Sequence, residues 1–223
     1  MKKNHPSGKS RIIYGASVAA YCMVAVYITV KYLLEQKWIM AALGPVSLLF
    51  LLIPKLAEML FRFKLGNPVK SMVLVFGIIA FQLGVLLRYY DSIALYDIIM
   101  HLLSGVVFTL VGFMLYGKFN RLPHKRSENG LLQTVFALSF SMLIAVLWEA
   151  AEFAVFLLIG HDAQHHYDTG VFDTMEDLIS CLAGSIIVAT DYLLSVKWKK
   201  RLPLTRLLLS FDRANPPSGG DLF

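Results

Sequence analysis

The chain has 223 residues, of which 57% are hydrophobic and only 16% charged, with a mean hydropathy of +0.62. A water-facing domain carries about a quarter charged residues, so this composition excludes a soluble enzyme and points to a surface against lipid. The net charge of +6 does not signal nucleic acid as a partner. The basic residues sit in short clusters between apolar runs, without the basic-aromatic interleaving of a single-strand binder.

Residues 1–11 form a basic N-terminus with Lys2, Lys3, Lys9 and Arg11. The first apolar run, Ile12–Leu34, is as long as a full span and lacks a small-x-small cleavage pattern, so it reads as a retained first helix and not a signal peptide. The second run, Trp38–Phe61, holds Pro45, Pro54, Lys55 and Glu58, which predict a kink or an exit from the membrane near Pro54. The third is Ser71–Tyr89 and the fourth Leu95–Tyr116. The fifth, Leu131–Ile159, is long enough to tilt. The sixth is Thr174–Val196, where Gly184 and Ser185 predict close helix packing. Asp191, near its end, reads as a lipid-interface or salt-bridge residue. Cys22 and Cys181 lie inside apolar runs at no metal or disulfide spacing, so both read as core thiols. Residues 197–223 form a basic tail, partly disordered around Pro216, Pro217, Gly219 and Gly220.

About 20 apolar residues cross a hydrocarbon core, so the expected fold is all-α: a polytopic bundle of six transmembrane helices, residues 12–196. Placing the loops alternately puts 18 of the 21 Lys and Arg on one side, leaving Lys31, Lys37 and Arg88 on the other. The basic side is cytoplasmic, and an even number of spans then places both termini inside the cell membrane.

Charged groups within spans are costly and each needs an account. The fourth span opens with Asp97 and His101, four apart and hence on one helix face. The fifth ends with Trp148, Glu149 and Glu152, and the sixth opens with Asp173 and Asp177. Under this topology all three pairs fall near the same outer surface. Five carboxylates and one imidazole cannot all stay ionised there, because like charges at 4 Å repel by about 4 kcal/mol even at an effective dielectric of 20. Either protons remain on some of them or a cation sits among them. Carboxylate oxygens with imidazole suit zinc, manganese, iron or magnesium. The expected metal ligands are therefore Asp97, His101, Glu149, Asp173 and Asp177, with Glu152 as the catalytic base. Helix capping remains open for Asp97 and Asp173, and a hydrogen-bonded core position remains open for His101. Trp148 reads as an interfacial or packing aromatic.

The outer loop Gly160–Gly170 contains His161, His165 and His166, candidates for further ligands or a lid, or else a hydrated loop. Arg88 is the nearby arginine able to bind a substrate phosphate or pair with the acids. No Walker, H-E-x-x-H, G-x-S-x-G or GxGxxG motif is present.

At Tyr96-Asp97, His101, Ser104-Gly105, Trp148-Glu149, Glu152, Gly170, Asp173-Thr174 and Asp177, the stretch Tyr96 to Gly184 resembles the YjdF-like bacterial inner-membrane proteins, multi-span proteins of unestablished activity. The order D-x3-H, then Glu, then a helix opening with Asp more distantly resembles the VanZ-like family, which is associated with glycopeptide-antibiotic resistance. Where VanZ-like proteins tend to E-x-x-Q, this chain has Glu149 and Glu152. The resemblance implies a fold and a site more than a reaction.

Three functions are compatible with these features. One is a metal-dependent enzyme acting on a lipid or envelope precursor at the outer leaflet. Another is a cation- or proton-coupled transporter, which calls for a polar track leading inward from the acids. The third is a non-catalytic membrane component whose acids are structural. The topology makes its own prediction: a green fluorescent protein fused after Phe223 fluoresces, and alkaline phosphatase fused there stays inactive. The reverse pattern would place the C-terminus outside.

Overall fold

The computed structural model describes residues 8–93, 95–120, 130–160 and 169–215. Among them every regular element is helical: α1 (Gly8–Leu34), α2 (Trp38–Ser47), a 3-10 turn (Leu48–Leu52), α3 (Ile53–Phe61), α4 (Asn67–Gly77), a π-helical segment (Ile78–Leu86), α5 (Tyr89–Ser92), α6 (Tyr96–Asn120), α7 (Gly130–Ile159), α8 (Phe172–Lys197) and α9 (Pro203–Ala214). Six stretches are long and apolar enough to cross a membrane: Gly8–Leu34, Trp38–Phe61, Asn67–Leu86, Tyr96–Phe119, Gly130–Ile159 and Phe172–Lys197. The chain is thus an all-α, multi-pass, six-helix membrane-spanning protein. Its helices fall into two compact units of three spans each. The first unit runs to Tyr96 and includes Ser210–Asn215, and the second runs from Asp97 to Leu209.

The span boundaries differ from the hydropathy reading by a few residues, for identifiable reasons. α1 begins at Gly8, because the long stems of Lys9 and Arg11 continue a helix while their heads reach water. The third span begins at Asn67, with a proline in its first turn where the missing N–H costs nothing. It ends before Arg88, whose φ of 61° leaves the helical region. The second span bends as its prolines predict. α2 tightens into the 3-10 turn after Pro45, then α3 resumes with Pro54 in its first turn and stops at Arg62, φ 52°.

In the first unit, α1 packs on α2 and α4. The α3–α4 connection is pinned by Glu58, whose Oε1 accepts from Leu65 N at 2.8 Å and pairs with Lys70 Nζ at 2.9 Å. At the α1–α2 turn, Glu35 meets Lys31 and Lys37 at 2.8 Å each. Those ammonium groups, Lys31 first, hold its carboxyl below the usual range.

In the second unit, α7 turns its polar and small residues inward and large apolar ones outward. The buried face of α7 is Gln133, Thr134, Ala137, Ser141, Ala145 and Glu149. Leu143, Val146 and Leu147 on the same helix are more than half exposed. This inversion suits lipid, where apolar side chains need no shelter and small residues let helices approach. A Cβ on Gly105 would overlap the carbonyl oxygen of Cys181, and one on Gly184 would overlap that of Leu102. Backbone thus lies directly on backbone between α6 and α8. Within the basic tail, α9 starts on the Asp191 carboxylate. Oδ1 accepts from Thr205 N at 2.8 Å and Thr205 Oγ1 at 2.6 Å, and Oδ2 accepts from Leu204 N at 3.3 Å. Asp191 is therefore a helix cap and not a salt-bridge residue, a role invisible without knowing that a helix starts twelve residues later.

The Gly184 contact yields a test with an internal control. Gly184→Ala should destabilise by ~1–3 kcal/mol, because the overlapping atom is backbone and cannot swing aside. Gly15→Ala, in a helix with nothing within 4 Å of the new methyl, should be neutral or stabilise by up to ~1 kcal/mol. Thermal unfolding in detergent reads both.

Candidate metal centre

Three side chains from two helices converge in the second unit. α6 carries Asp97 in its first turn and His101 one turn further on, and α8 carries Asp177 in its second turn. His101 Nε2 lies 3.4 Å from Asp97 Oδ1 and 3.5 Å from Asp177 Oδ2. One donor atom from each residue lies within 4.8 Å of the other two. Asp177 is 3% exposed and His101 8%, while Asp97 is half-buried at the rim.

These distances suit a metal better than a hydrogen-bonded histidine. At 3.4 and 3.5 Å both contacts exceed the usual N–H···O range of about 2.7–3.2 Å. A single Nε2–H also serves one carboxylate well, not two. Four-coordinate ions bind such ligands at about 2.0–2.2 Å, and a tetrahedron with bonds of that length has edges of about 3.4 Å. The donor set of one imidazole nitrogen and two carboxylate oxygens fits a divalent ion of the zinc, manganese, iron or magnesium kind. Three protein ligands also leave a coordination position for water or substrate.

The remaining acids act on this triad through their charge. Glu149 is 6% exposed, and its charge acts on both His101 and Asp177. Asp173 acts on Asp177. Glu152, half-buried, feels Glu149, Asp97 and His101. Its Oε1 accepts from the indole Nε1 of Trp148 at 2.8 Å, so Trp148 holds a carboxylate, a role that its sequence position did not suggest. Of the six residues singled out in the three helices, Asp97, His101 and Asp177 are brought together. Asp97, His101 and Asp177 alone bring donor atoms to a common point among the described residues. The capping alternative fails for Asp173: the N-cap of α8 is Val171, with no side-chain cap bond.

Arg88 belongs to the first unit, where its Nε donates to Asp91 Oδ2 at 2.7 Å. His161, His165 and His166 fall outside the described residues. Cys181 sits one turn below Asp177, but its Sγ faces Ser141 Oγ at 3.8 Å and Ser104 Oγ at 4.0 Å and stays out of the ligand set.

Behind the triad a polar seam continues along the same faces. Ser104 Oγ donates to the His101 carbonyl at 2.7 Å. Ser185 Oγ lies 2.9 Å from both Ser141 Oγ and the Cys181 carbonyl. Further along, Tyr192 OH donates to Gln133 Oε1 at 2.7 Å. From Glu149 to Gln133 the seam follows sixteen residues of α7, which at 1.5 Å per residue is about 24 Å. No sequence motif marks it, since serine, glycine and glutamine at four-residue intervals are ordinary in packed membrane helices.

A family model described as a predicted membrane protein (DUF2238) matches residues 13–198 of the chain. No curated protein and no solved structure matches it.

The centre predicts a metal-dependent gain in stability. A divalent ion at about 100 times its Kd should stabilise the protein by ~2.7 kcal/mol, seen as a raised unfolding midpoint in Mn2+ or Zn2+ over chelator. His101→Ala and Asp177→Asn should each abolish the shift, whereas Glu176→Gln, an exposed neighbour on α8, should leave it intact.

Proposed function

The chain belongs to the DUF2238 family of membrane proteins, and we propose that it is a metal-dependent enzyme acting on a lipid or envelope precursor at the outer leaflet. The observation that carries this reading is the incomplete ligand set of Asp97, His101 and Asp177 beside a half-buried carboxylate that takes no part in it. A divalent ion held there supplies a Lewis acid and a bound water whose pKa falls toward neutrality.

The chain's own groups do the rest. Asp177, nearly wholly buried, and His101 fix one side of the site, while Asp97 at the rim is the ligand that moves most easily. Glu152 is the proton acceptor. Its Oε1 is occupied by the Trp148 indole, which leaves Oε2 to take a proton from an attacking water. Glu149 and Asp173 add negative charge that favours a bound cation over a second proton. Trp148 is more than half exposed, so the site's edge lies at the lipid-facing surface of α7, where an amphiphilic substrate arrives sideways. Orientation is supported within the second unit itself. The acids lie where α6 and α8 begin, and Lys118 and Lys197 lie in their last turns, so the positive-inside rule turns the acids outward and the termini inward.

A second reading, a cation-coupled transporter, is favoured by the seam from Glu149 to Gln133, the inward track that such a function needs. Closely apposed glycines and neutral hydroxyls line it, with no further carboxylate along its middle among the described residues, so the enzyme reading ranks first.

Purified protein in phospholipid vesicles with Mn2+ separates the two. Release of a water-soluble phosphate or head group, detected by 31P NMR, supports the enzyme. Glu152→Gln should then lower the rate about 10²–10⁴-fold with metal stoichiometry unchanged. Entry of Mn2+ quenching an internal dye without any such release would replace the enzyme reading with the transporter.

A further inference from the structure

The first unit holds a second buried polar cluster, at a place where two adjacent spans both leave α-helical geometry. The second span tightens into its 3-10 turn directly after Ser47, and the third widens into the π-helical segment that contains Gln82. A π turn is costly and tends to persist where a function needs it. Gln82 and Tyr21 are 0% exposed and Ser47 is 1% exposed.

Gln82 Nε2 donates to the Tyr21 carbonyl and to Ser47 Oγ, both at 3.1 Å, which fixes the orientation of the amide. Ser47 Oγ donates in turn to the Gly44 carbonyl at 2.6 Å. Two atoms of the cluster stay unsatisfied. Gln82 Oε1 accepts no hydrogen bond, and the Tyr21 phenol, although beside the Ser47 hydroxyl, makes no aligned bond to it. Inside a span such groups cost several kcal/mol each when nothing meets them.

The open valences are unequal. Gln82 Oε1 offers two lone pairs, Ser47 Oγ one and the Tyr21 oxygen its own, against a single O–H from Tyr21. The irregular backbone adds to this excess, since Pro45 has no N–H for the carbonyl one turn before it. Elsewhere in the π-helical segment the carbonyls of Ile79 and Leu86 are met by Tyr96 OH at 2.8 Å and by Tyr32 OH. Phe50, in the 3-10 turn, covers the cluster. Its ring lies between Tyr21 and Phe81, with centroids at 5.7 and 6.5 Å, in the space that a Cβ on Gly77 would fill.

We propose that Tyr21, Ser47 and Gln82 form a binding site for a monovalent alkali cation, held by neutral oxygens where the second and third spans break. Neutral oxygens at interrupted helices, with no carboxylate among them, suit a singly charged ion and disfavour a divalent one, which needs anionic ligands to offset its desolvation. The site is separate in composition from the Asp97, His101 and Asp177 centre and does not depend on it.

The test is thermal unfolding of the full-length protein in detergent, in NaCl, KCl and choline chloride at equal ionic strength. Sodium or potassium at about 100 times its Kd should raise the midpoint by about 5–10 °C over choline, with saturation. Gln82→Leu and Tyr21→Phe should each remove that dependence while the Mn2+ response of the other unit persists. Should Gln82→Leu fail to fold, Tyr21→Phe, which deletes one oxygen, carries the same test. Equal midpoints in all three salts for the unaltered protein would overturn the proposal. So would an alkali effect that survives Tyr21→Phe, or a high-resolution density in saturating NaCl showing water alone beside Gln82 Oε1.

Discussion

One imidazole nitrogen between two carboxylates sets the terms for the second unit. His101 Nε2 faces Asp97 and Asp177 at nearly equal distances, in a helix bundle whose outer surface is apolar. Uncompensated charge at such a depth costs several kcal/mol, and a lone Nε2–H compensates one partner at best. A divalent ion would resolve the imbalance, with Asp97, His101 and Asp177 as the residues to hold it. With the charges of Glu149 and Asp173 acting on Asp177, the electrostatics favour a cation more strongly than the triad alone would. The same crowding that makes the cluster expensive when empty of positive charge makes it selective for positive charge.

Holding three donors at that spacing requires helices that barely move apart. α6 and α8 achieve this by laying backbone on backbone at Gly105 and Gly184, one turn and two turns inward from the donors. Ser141 and Ser185 then tie the helices through hydroxyl bonds to the Gly105 carbonyl and to each other. In lipid there is no hydrophobic force to press helices together, so close van der Waals contact and hydrogen bonds must do it. The seam therefore has a structural duty whatever else passes along it. The first unit solves a different problem: its second and third spans are irregular, and the polar groups released by that irregularity cluster at Gln82.

Several assignments were legible one residue at a time and others were not. Asp97 and His101 share a helix face by spacing alone, and the alternation of spans brings Glu149, Glu152, Asp173 and Asp177 to the same level. The bend of the second span follows from Pro45 and Pro54. Trp148 as the donor to Glu152, Asp191 as the cap of α9, and Val171 instead of Asp173 at the start of α8 all depend on rotamers and on where a helix begins to within one residue. Composition is silent on both.

The amino-acid sequence by itself determined the membrane class, the six spans within a few residues, and the gathering of acidic groups at one end of three helices. Each of these rests on length, hydropathy and a period of 3.6 residues, quantities that act along the chain. Only the tertiary structure decided that Asp97, His101 and Asp177 meet. It alone also showed that a π-helical turn leaves Gln82 and Tyr21 with open valences. Those outcomes depend on how closely and at what rotation neighbouring helices pack. That packing follows from a handful of small residues and hydroxyls, whose effect on distance has no one-dimensional signature.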